Sequence, residues 1–506
     1  MFVREKRNKS GTVSVQLVSK VSGAYRVVRT VGCGRSPDEI AALLRKAKDL
    51  LPVLSGRPEM DFVLGDDGHF AKAVSEGIEG VQLLGPELVL GKLFDEIGFG
   101  AATLDPLFRQ IVLSRLTFPL SKLKTTEYIA RYNGLDIDVA RIYRFMDKLD
   151  PKLLKKVRQI SYEHSMKVLG GTPTVVFYDV TTLYFEAEQE DDLRKAGFSK
   201  DGKHQSPQIL LGLLVGPGGY PLAYDIFEGN KFEGHTMLPV VEAFRRDYKL
   251  DRLVVVADAG LLSKENIDRL KSEGHEFILG ARIKNEGKAV KELVTTLGLK
   301  DGQSAAVNRP DGTRLVVSYS DKRARKDAHN RERGLGKLRE MVGRGRLTKD
   351  HVNNRGYKKF LSIQGSATVK VDEDKVAEDA KWDGLKGYIT NSKLEKQDVI
   401  DNYRQLWAIE KAFRISKTDL RIRPIYHRLR KRIEAHIGIA FAAHKIYKEL
   451  ERQLKEKKVP MSTEKAIEVL RSIYGITLRL PQTQKSKLIL IDKAEEQQII
   501  LKAFGI

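Results

Sequence analysis

The chain has 506 residues, with 89 Lys and Arg against 67 Asp and Glu and a formal net charge of +22. A hydrophobic fraction of 41% and a charged fraction of 31% belong to a globular chain and exclude a wholly disordered or fibrous one. At roughly 100–200 residues per domain the length predicts two to four domains. The single cysteine, Cys33, excludes an intramolecular disulfide framework and a cysteine-cluster metal site. The most apolar stretch, Ile209–Phe227, is interrupted by Gly216-Pro217-Gly218-Gly219 and is too broken to span a bilayer. The opening MFVREKRNKSG lacks the apolar run of a secretory signal, so the expectation is a soluble, cytoplasmic protein with no membrane partner.

The excess charge is concentrated. Asp321–Phe360 carries fourteen Lys/Arg and five Asp/Glu, and Asp401–Arg432 carries ten and three. One such run alone reads as a solvated basic surface. Two, one of them interleaved with Tyr, Trp and Phe, point to a nucleic acid.

In chain order, residues 1–75 read as a small α/β unit. TVSVQLVSK and AYRVVRTVG alternate as strands about a Ser22-Gly23 turn, and Ser36 caps a helix that begins at Pro37. Residues 76–170 repeat apolar positions at three- and four-residue spacing and predict helices. Residues 171–283 predict the order β-β-β-α-β-α-β: TPTVVFYDVTTLYF, PQILLGLLVG and YPLAYDIFEG, then a helix, LVVVAD, a helix capped by Ser263, and EFILGAR. Three meandering strands followed by strands reached through helices give a mixed sheet flanked by helices. Residues 284–390 interrupt this pattern with a helix, a hairpin about Arg309-Pro310-Asp311-Gly312, the basic helical run 321–350 and three further strands. Residues 391–456 predict one long helix from Gln397 to about Ile415 and another from Pro424 to about Lys455; the 457–506 tail is mixed and lysine-rich.

Two acids stand out. Asp179 ends the apolar run VVFY and Asp258 ends LVVVA, each where a buried strand is expected to leave the sheet. Burying a carboxylate is costly without a partner, and a hard divalent cation would supply one through oxygen ligands. The plainer reading is that each acid caps the following turn. A third acid, Glu410, lies on the helical pattern of 397–415. At about 100° per residue it shares one stripe with Tyr403, Trp407, Arg414 and Lys417, beside an apolar stripe of Leu406, Ile409, Phe413 and Leu420. The alternative is an ordinary amphipathic surface helix. Trp407 reads first as a core residue and second as a base-stacking platform. Asn230, Glu233 and Thr236 read as turn and helix-start residues.

With an acid on the first strand, one after the fourth and one on a later helix, the sequence resembles the DDE transposases with a ribonuclease H-like fold. The strings VVFYDVTTLYF, VVVADAGLLSKENI and YRQLWAIEKAFRISKTDL carry the resemblance. Tyr403, Glu410 and Lys417 stand at the spacing of the Y-(2)-R-(3)-E-(6)-K signature of the insertion-sequence four group, while Leu406 stands where that signature has arginine. The resemblance covers about residues 171–450 and implies a β-rich insertion between Asp258 and Glu410. It implies a catalytic and metal-binding triad of Asp179, Asp258 and Glu410. Two Mg²⁺ ions about 4 Å apart (or Mn²⁺ in their place) would drive DNA strand cleavage and strand transfer. Tyr403, Arg404, Trp407, Arg414 and Lys417 would contact DNA, with Arg404 or Arg414 replacing the signature arginine. The implied partners are double-stranded transposon ends and target, held by a homodimer in a prokaryotic, nucleoid-associated setting. The residues alone leave open a non-catalytic, transposase-derived DNA-binding protein and a ribonuclease H-like structure-specific nuclease.

Overall fold

The computed structural model describes residues 1–506 except 22–23, 56–71, 73, 104, 172–173, 187–188, 199–201, 203–204, 251–252, 262–263, 346, 348–350, 354–355, 365–367, 424, 481–482, 484 and 493. The chain divides into two compact units, Met1–Gly80 with Ile476–Ile489, and Val81–Gly475 with Leu490–Ile506.

In the first unit β1 (Phe2–Arg7), β2 (Val13–Val21) and β3 (Ala24–Gly34) form an antiparallel sheet in that order. Helix α1 (Pro37–Ser55) packs on it through Ala47, Val15 and Leu17. The predicted helix start is made as a reciprocal cap: Glu39 N–H donates to Ser36 Oγ at 3.2 Å and Ser36 N–H to Glu39 Oε2 at 3.2 Å. Strand β1 was not expected. It lies at the sheet edge and reads VREKR, and a charged edge strand hides its own periodicity. The Ser22-Gly23 turn lies outside the described residues.

Along β4 (Ile78–Leu83) the chain passes into the second unit, where the helices α2 (Lys92–Ile97), α3 (Leu107–Thr117), α4 (Lys122–Asn133), α5 (Val139–Lys148) and α6 (Pro151–Leu169) follow. There follow β5 (Val175–Tyr184), β6 (Gln208–Val215), β7 (Pro221–Glu228), α7 (Met237–Tyr248), β8 (Val254–Ala257), α8 (Lys264–Ser272) and β9 (Glu276–Ala281), the predicted order. Ser263, the predicted cap of α8, lies outside the described residues. Next come α9 (Lys288–Thr296), β10 (Ser304–Asn308), β11 (Arg314–Tyr319), α10 (Asp321–Gly343), β12 (Leu361–Gln364), β13 (Thr368–Val371), α11 (Glu373–Ala380) and β14 (Leu385–Thr390). The chain ends with α12 (Lys396–Arg404), α13 (Trp407–Arg414), α14 (Arg430–Glu456), α15 (Thr463–Leu470), β15 (Tyr474–Arg479), β16 (Ser486–Ile491) and α16 (Glu495–Ala503).

Eight strands form one mixed sheet in the order β10-β11-β14-β9-β8-β5-β6-β7. β8 is parallel to β5 and β9 to β8, while the other pairs are antiparallel. The strands within 284–390 are therefore not all separate from the sheet: β10, β11 and β14 extend it beyond β9. What stands apart is α10, the β12-β13 hairpin and α11, with a small core of Leu335, Leu338, Phe360, Leu361 and Val369.

Both faces of the central strands are covered, so they read as near-continuous apolar runs. Alternation still sorts the side chains. Val176, Tyr178, Val255 and Ala257 pack with α7 residues such as Val241 and Phe244. Phe177, Val254 and Val256 pack in the core that holds Tyr403, Ile409 and Phe413. Among the described residues no helix is long and apolar enough to cross a membrane.

Candidate active site

Strand register brings Asp179 and Asp258 together. β5 and β8 run parallel with Phe177 opposite Val256 and Tyr178 opposite Ala257, so the next residue on each chain is an aspartate. Neighbouring strands lie about 4.8 Å apart. Each aspartate follows by two positions a residue on the Tyr403 and Ile409 face, and side chains alternate with period two along a strand. Both acids thus belong to the face covered by α12 and α13.

One expectation is corrected here. β8 does stop before Asp258, but β5 continues past Asp179 to Tyr184. Its second half pairs with β6, from Asp179 opposite Leu213 to Tyr184 opposite Gln208. Asp179 marks the point where its parallel neighbour ends, not the end of its own strand. Burial is also not what singles out these acids: Asp258 and Glu410 are exposed and Asp179 is only half-buried.

The predicted single helix over 397–415 is two. α12 ends at Arg404 and α13 begins at Trp407. Between them Leu406 N–H donates to Tyr403 O at 3.0 Å and Ala408 N–H to Gln405 O at 2.8 Å, three-residue bonds that tighten the turn. After Arg414 a wider π-type turn, Ile415–Asp419, closes the segment. A constant 100° step across 403–417 therefore fails. Tyr403 is 6% exposed and Trp407 60%, so Trp407 is not the core tryptophan of the first reading. The tight turn swings it to solvent, and Leu406 takes the core position. The residue standing where the signature has arginine is thus a buried core leucine. Of the remaining predicted DNA-contact residues, Arg404 is exposed and pairs with Asp401 at 3.1 Å, Arg414 is exposed, and Lys417 is half-buried on the π-type turn.

Tyr403 donates its hydroxyl hydrogen to Asp258 Oδ1 at 3.0 Å. The same oxygen accepts from Ala259 N–H at 2.7 Å, and Asp179 Oδ1 accepts from Val180 N–H at 2.7 Å. Burial, then the negative charge of Asp258, holds the Tyr403 phenol far above its ordinary range, so it stays a donor. Gly280 on β9 makes the reach possible: a Cβ there would lie 2.4 Å from Tyr403 Oη and 3.0 Å from Ala259 N.

Lys386 on β14 sits 4.6 Å above the Tyr403 ring and 5.5 Å from the Tyr388 ring. Burial and then Arg323 push its ammonium down, while Asp258 and Glu410 pull the other way. Asp258 and Glu410 thus share both Lys386 and Tyr403 as electrostatic neighbours. From Asp258, Tyr403 and Lys386 a cleft of about 710 Å³ runs to Arg323 and Arg331 of α10 and to Lys359. Lys386, Arg323 and Gly280 escaped sequence reasoning. Only the β14-β9 pairing, which puts Gly387 opposite Ala281, brings Lys386 to the site.

The donor set suits a hard divalent cation in kind, since all three acids offer carboxylate oxygens. Among the described residues no three His, Cys, Asp or Glu converge as they stand. Asp179 and Asp258 are juxtaposed by register, and Glu410 stands on α13 over the same face.

Comparisons with known proteins bear on this arrangement. The solved piggyBac transposase synaptic complex with hairpin DNA is similar at a TM-score of 0.39 and 10% identity, over 77% of this chain and 79% of that one. The Mos1 transposase paired-end complex with left transposon end is similar at 0.16 and 11%, over 46% and 66%. Both likenesses are distant. No curated protein sequence matches. The family described as the transposase DDE domain matches residues 170–446, which take in the whole β5–β9 run, α12, α13 and all three acids. With more than half of its length inside that match, the chain belongs to the transposase DDE domain family.

Proposed function

We propose that this protein is a DNA transposase that cleaves and transfers DNA strands at the ends of an insertion sequence. In this reading the β7-β6-β5-β8-β9 part of the sheet is a ribonuclease H-like core, and Asp179, Asp258 and Glu410 would hold Mg²⁺. The observation that carries the reading is the register of β5 against β8, which sets two aspartates side by side beneath the helix of Glu410. Bound divalent ions would supply activation of water or a DNA 3′-OH and stabilisation of the leaving oxygen.

The chain's own residues do the rest. The Tyr403 hydroxyl fixes one oxygen of Asp258, leaving the other to face an ion or substrate. Lys386 places a cation beside both acids, where a scissile phosphate would bring its negative charge. Arg323 and Lys359 across the cleft extend that positive lining along a DNA strand. Arg404, exposed Trp407, Arg414 and Lys417 continue it on the α12–α13 side, and a homodimer would bring two ends together.

The test is a joining assay. Duplex DNA carrying the repeats that flank the gene, incubated with the protein and a target plasmid, should yield joined products in Mg²⁺ or Mn²⁺ and none in EDTA. Tight, repeat-specific binding with neither cleavage nor joining would instead support a non-catalytic DNA-binding protein. Cleavage directed by branched structure, regardless of the repeats, would support a structure-specific nuclease.

A further inference from the structure

Away from the acids lies a buried cluster of basic side chains for which the described residues supply no counter-ion. Arg115 of α3 and Lys122, the first residue of α4, are each 6% exposed, as is His436 of α14. Arg115 donates to the Leu420 carbonyl at 3.4 Å, and among the described residues it makes no ion pair. His436 bonds the Ile422 carbonyl through Nε2 at 3.0 Å, and its buried Nδ1 has no partner. His427 stacks edge-on against His436 with ring centroids 5.3 Å apart.

The electrostatic neighbours of these side chains are all basic. Burial pushes Arg115 down to about 10, and burial followed by Arg115 pushes Lys122 well below its ordinary value. Burial, then Lys122, Arg115 and Arg432, takes His427 down to about 4. Asp147, the acid on the neighbouring α5, is already held by Arg432 at 2.8 Å and Lys431 at 3.3 Å. A buried charge is costly unless something compensates it. Beside the cluster lie Leu420 and Ile422, whose carbonyls accept from Arg115 and His436, and they open a stretch, 420–432, with six Lys/Arg and no acid. Of that stretch, Tyr426, Arg428, Leu429, Arg430 and Lys431 are exposed.

We propose that Arg115, Lys122 and His436 line a binding site for a phosphate-type oxyanion beside Leu420 and Ile422. The Arg115 guanidinium and the Lys122 ammonium reach it as donors from two helices, His436 reaches it from a third with Nδ1 open to a proton carried in by the anion, and the incoming anion supplies negative charge. The occupant is either a DNA backbone phosphate or free inorganic phosphate; the recognition chemistry is the same. The site is independent of the Asp179, Asp258 and Glu410 triad and would survive the failure of the transposase reading.

The experiment compares the full chain with an Arg115→Met, Lys122→Met double variant. Unfolding midpoints are measured from zero to 50 mM inorganic phosphate in low-salt buffer, and duplex DNA affinity is measured across a salt series. Calorimetric titration of phosphate into the unmodified chain is a readout that does not require the variant to fold. The expected result is a saturable rise of a few degrees in the unmodified chain, above the gradual drift that excluded salts give any protein. The variant should show only the drift. If the occupant is a DNA phosphate, the variant's slope of log K against log salt should be shallower by about 1, since each neutralised phosphate contributes about 0.9. An unchanged slope together with saturable phosphate binding would assign the site to the free anion. Equal phosphate responses in both proteins, no saturable calorimetric signal and identical DNA slopes would overturn the proposal.

Discussion

Tyr403 shows how a candidate site residue can act through another group. It is buried, and its hydroxyl spends its proton on Asp258 rather than facing DNA. Removing that hydroxyl should disturb the acid more than the fold. Tyr403→Phe is expected to lower strand cleavage about 10-fold or more, the scale of losing a group that orients a metal ligand. It should also raise the Mg²⁺ concentration needed, at a stability cost of about 1 kcal/mol. Unchanged cleavage at limiting Mg²⁺ would mean that Asp258 does not depend on this bond. Asp179 and Asp258 stood out in the sequence because a carboxylate at the end of VVFY or LVVVA breaks an apolar run, and Glu410 was singled out only by its place on a helical pattern. Lys386 was not legible: it lies in an ordinary strand, LKGYIT, and only sheet pairing carries it to Asp258. Trp407 was misread for a local reason, since a tight turn at Gln405–Leu406 leaves no mark in apolar spacing.

At the scale of elements, Gly280 is the tightest constraint on the site. A methyl group there would meet both Tyr403 Oη and the Ala259 backbone. Gly280→Ala is expected to cost about 1–3 kcal/mol as an overpacked contact and to displace Tyr403 from Asp258. Combined with Tyr403→Phe, which removes the closest atom, the cost should be clearly less than additive. Denaturant unfolding of the two single variants and the double variant gives the coupling, and strict additivity would contradict the contact. Helix α10 poses a different question, because it carries much of the basic charge yet is pinned to the turn before β14. Arg331 makes two bonds to Asp383, at 2.5 and 2.6 Å. Arg331→Ala is expected to quicken amide hydrogen exchange along α10 and leave α13 unchanged; equal protection of α10 in the variant and the unmodified chain would show that the pair does not hold the helix. The succession of strands and helices along the chain from β5 to β9 was readable from alternation and turn residues. That β10, β11 and β14 join the same sheet was not, because local sequence does not encode which edge a strand meets.

Over the whole molecule, the charge excess and the sheet make separate demands. Sixteen of the 22 excess positive charges lie in 321–360 and 401–432, and the first of these segments lines the cleft that begins at Asp258. DNA affinity should therefore fall steeply with salt, by about 0.9 in log K per log salt for each phosphate neutralised on duplex DNA. A slope near zero would show that these segments do not meet the backbone. The central claim is narrower: Asp179, Asp258 and Glu410 form one metal-dependent catalytic group. Its most direct test is strand cleavage of repeat-end DNA by Asp179→Asn, Asp258→Asn and Glu410→Gln, with DNA affinity and unfolding midpoint measured on the same preparations. Amides keep the shape of each side chain but lose the charge that would hold an ion. Each variant is expected to lose cleavage by at least about 1,000-fold, or about 4 kcal/mol of barrier, while binding DNA and unfolding as the unmodified chain does. Cleavage at the ordinary rate by any one of the three would contradict the account and remove that residue from the site.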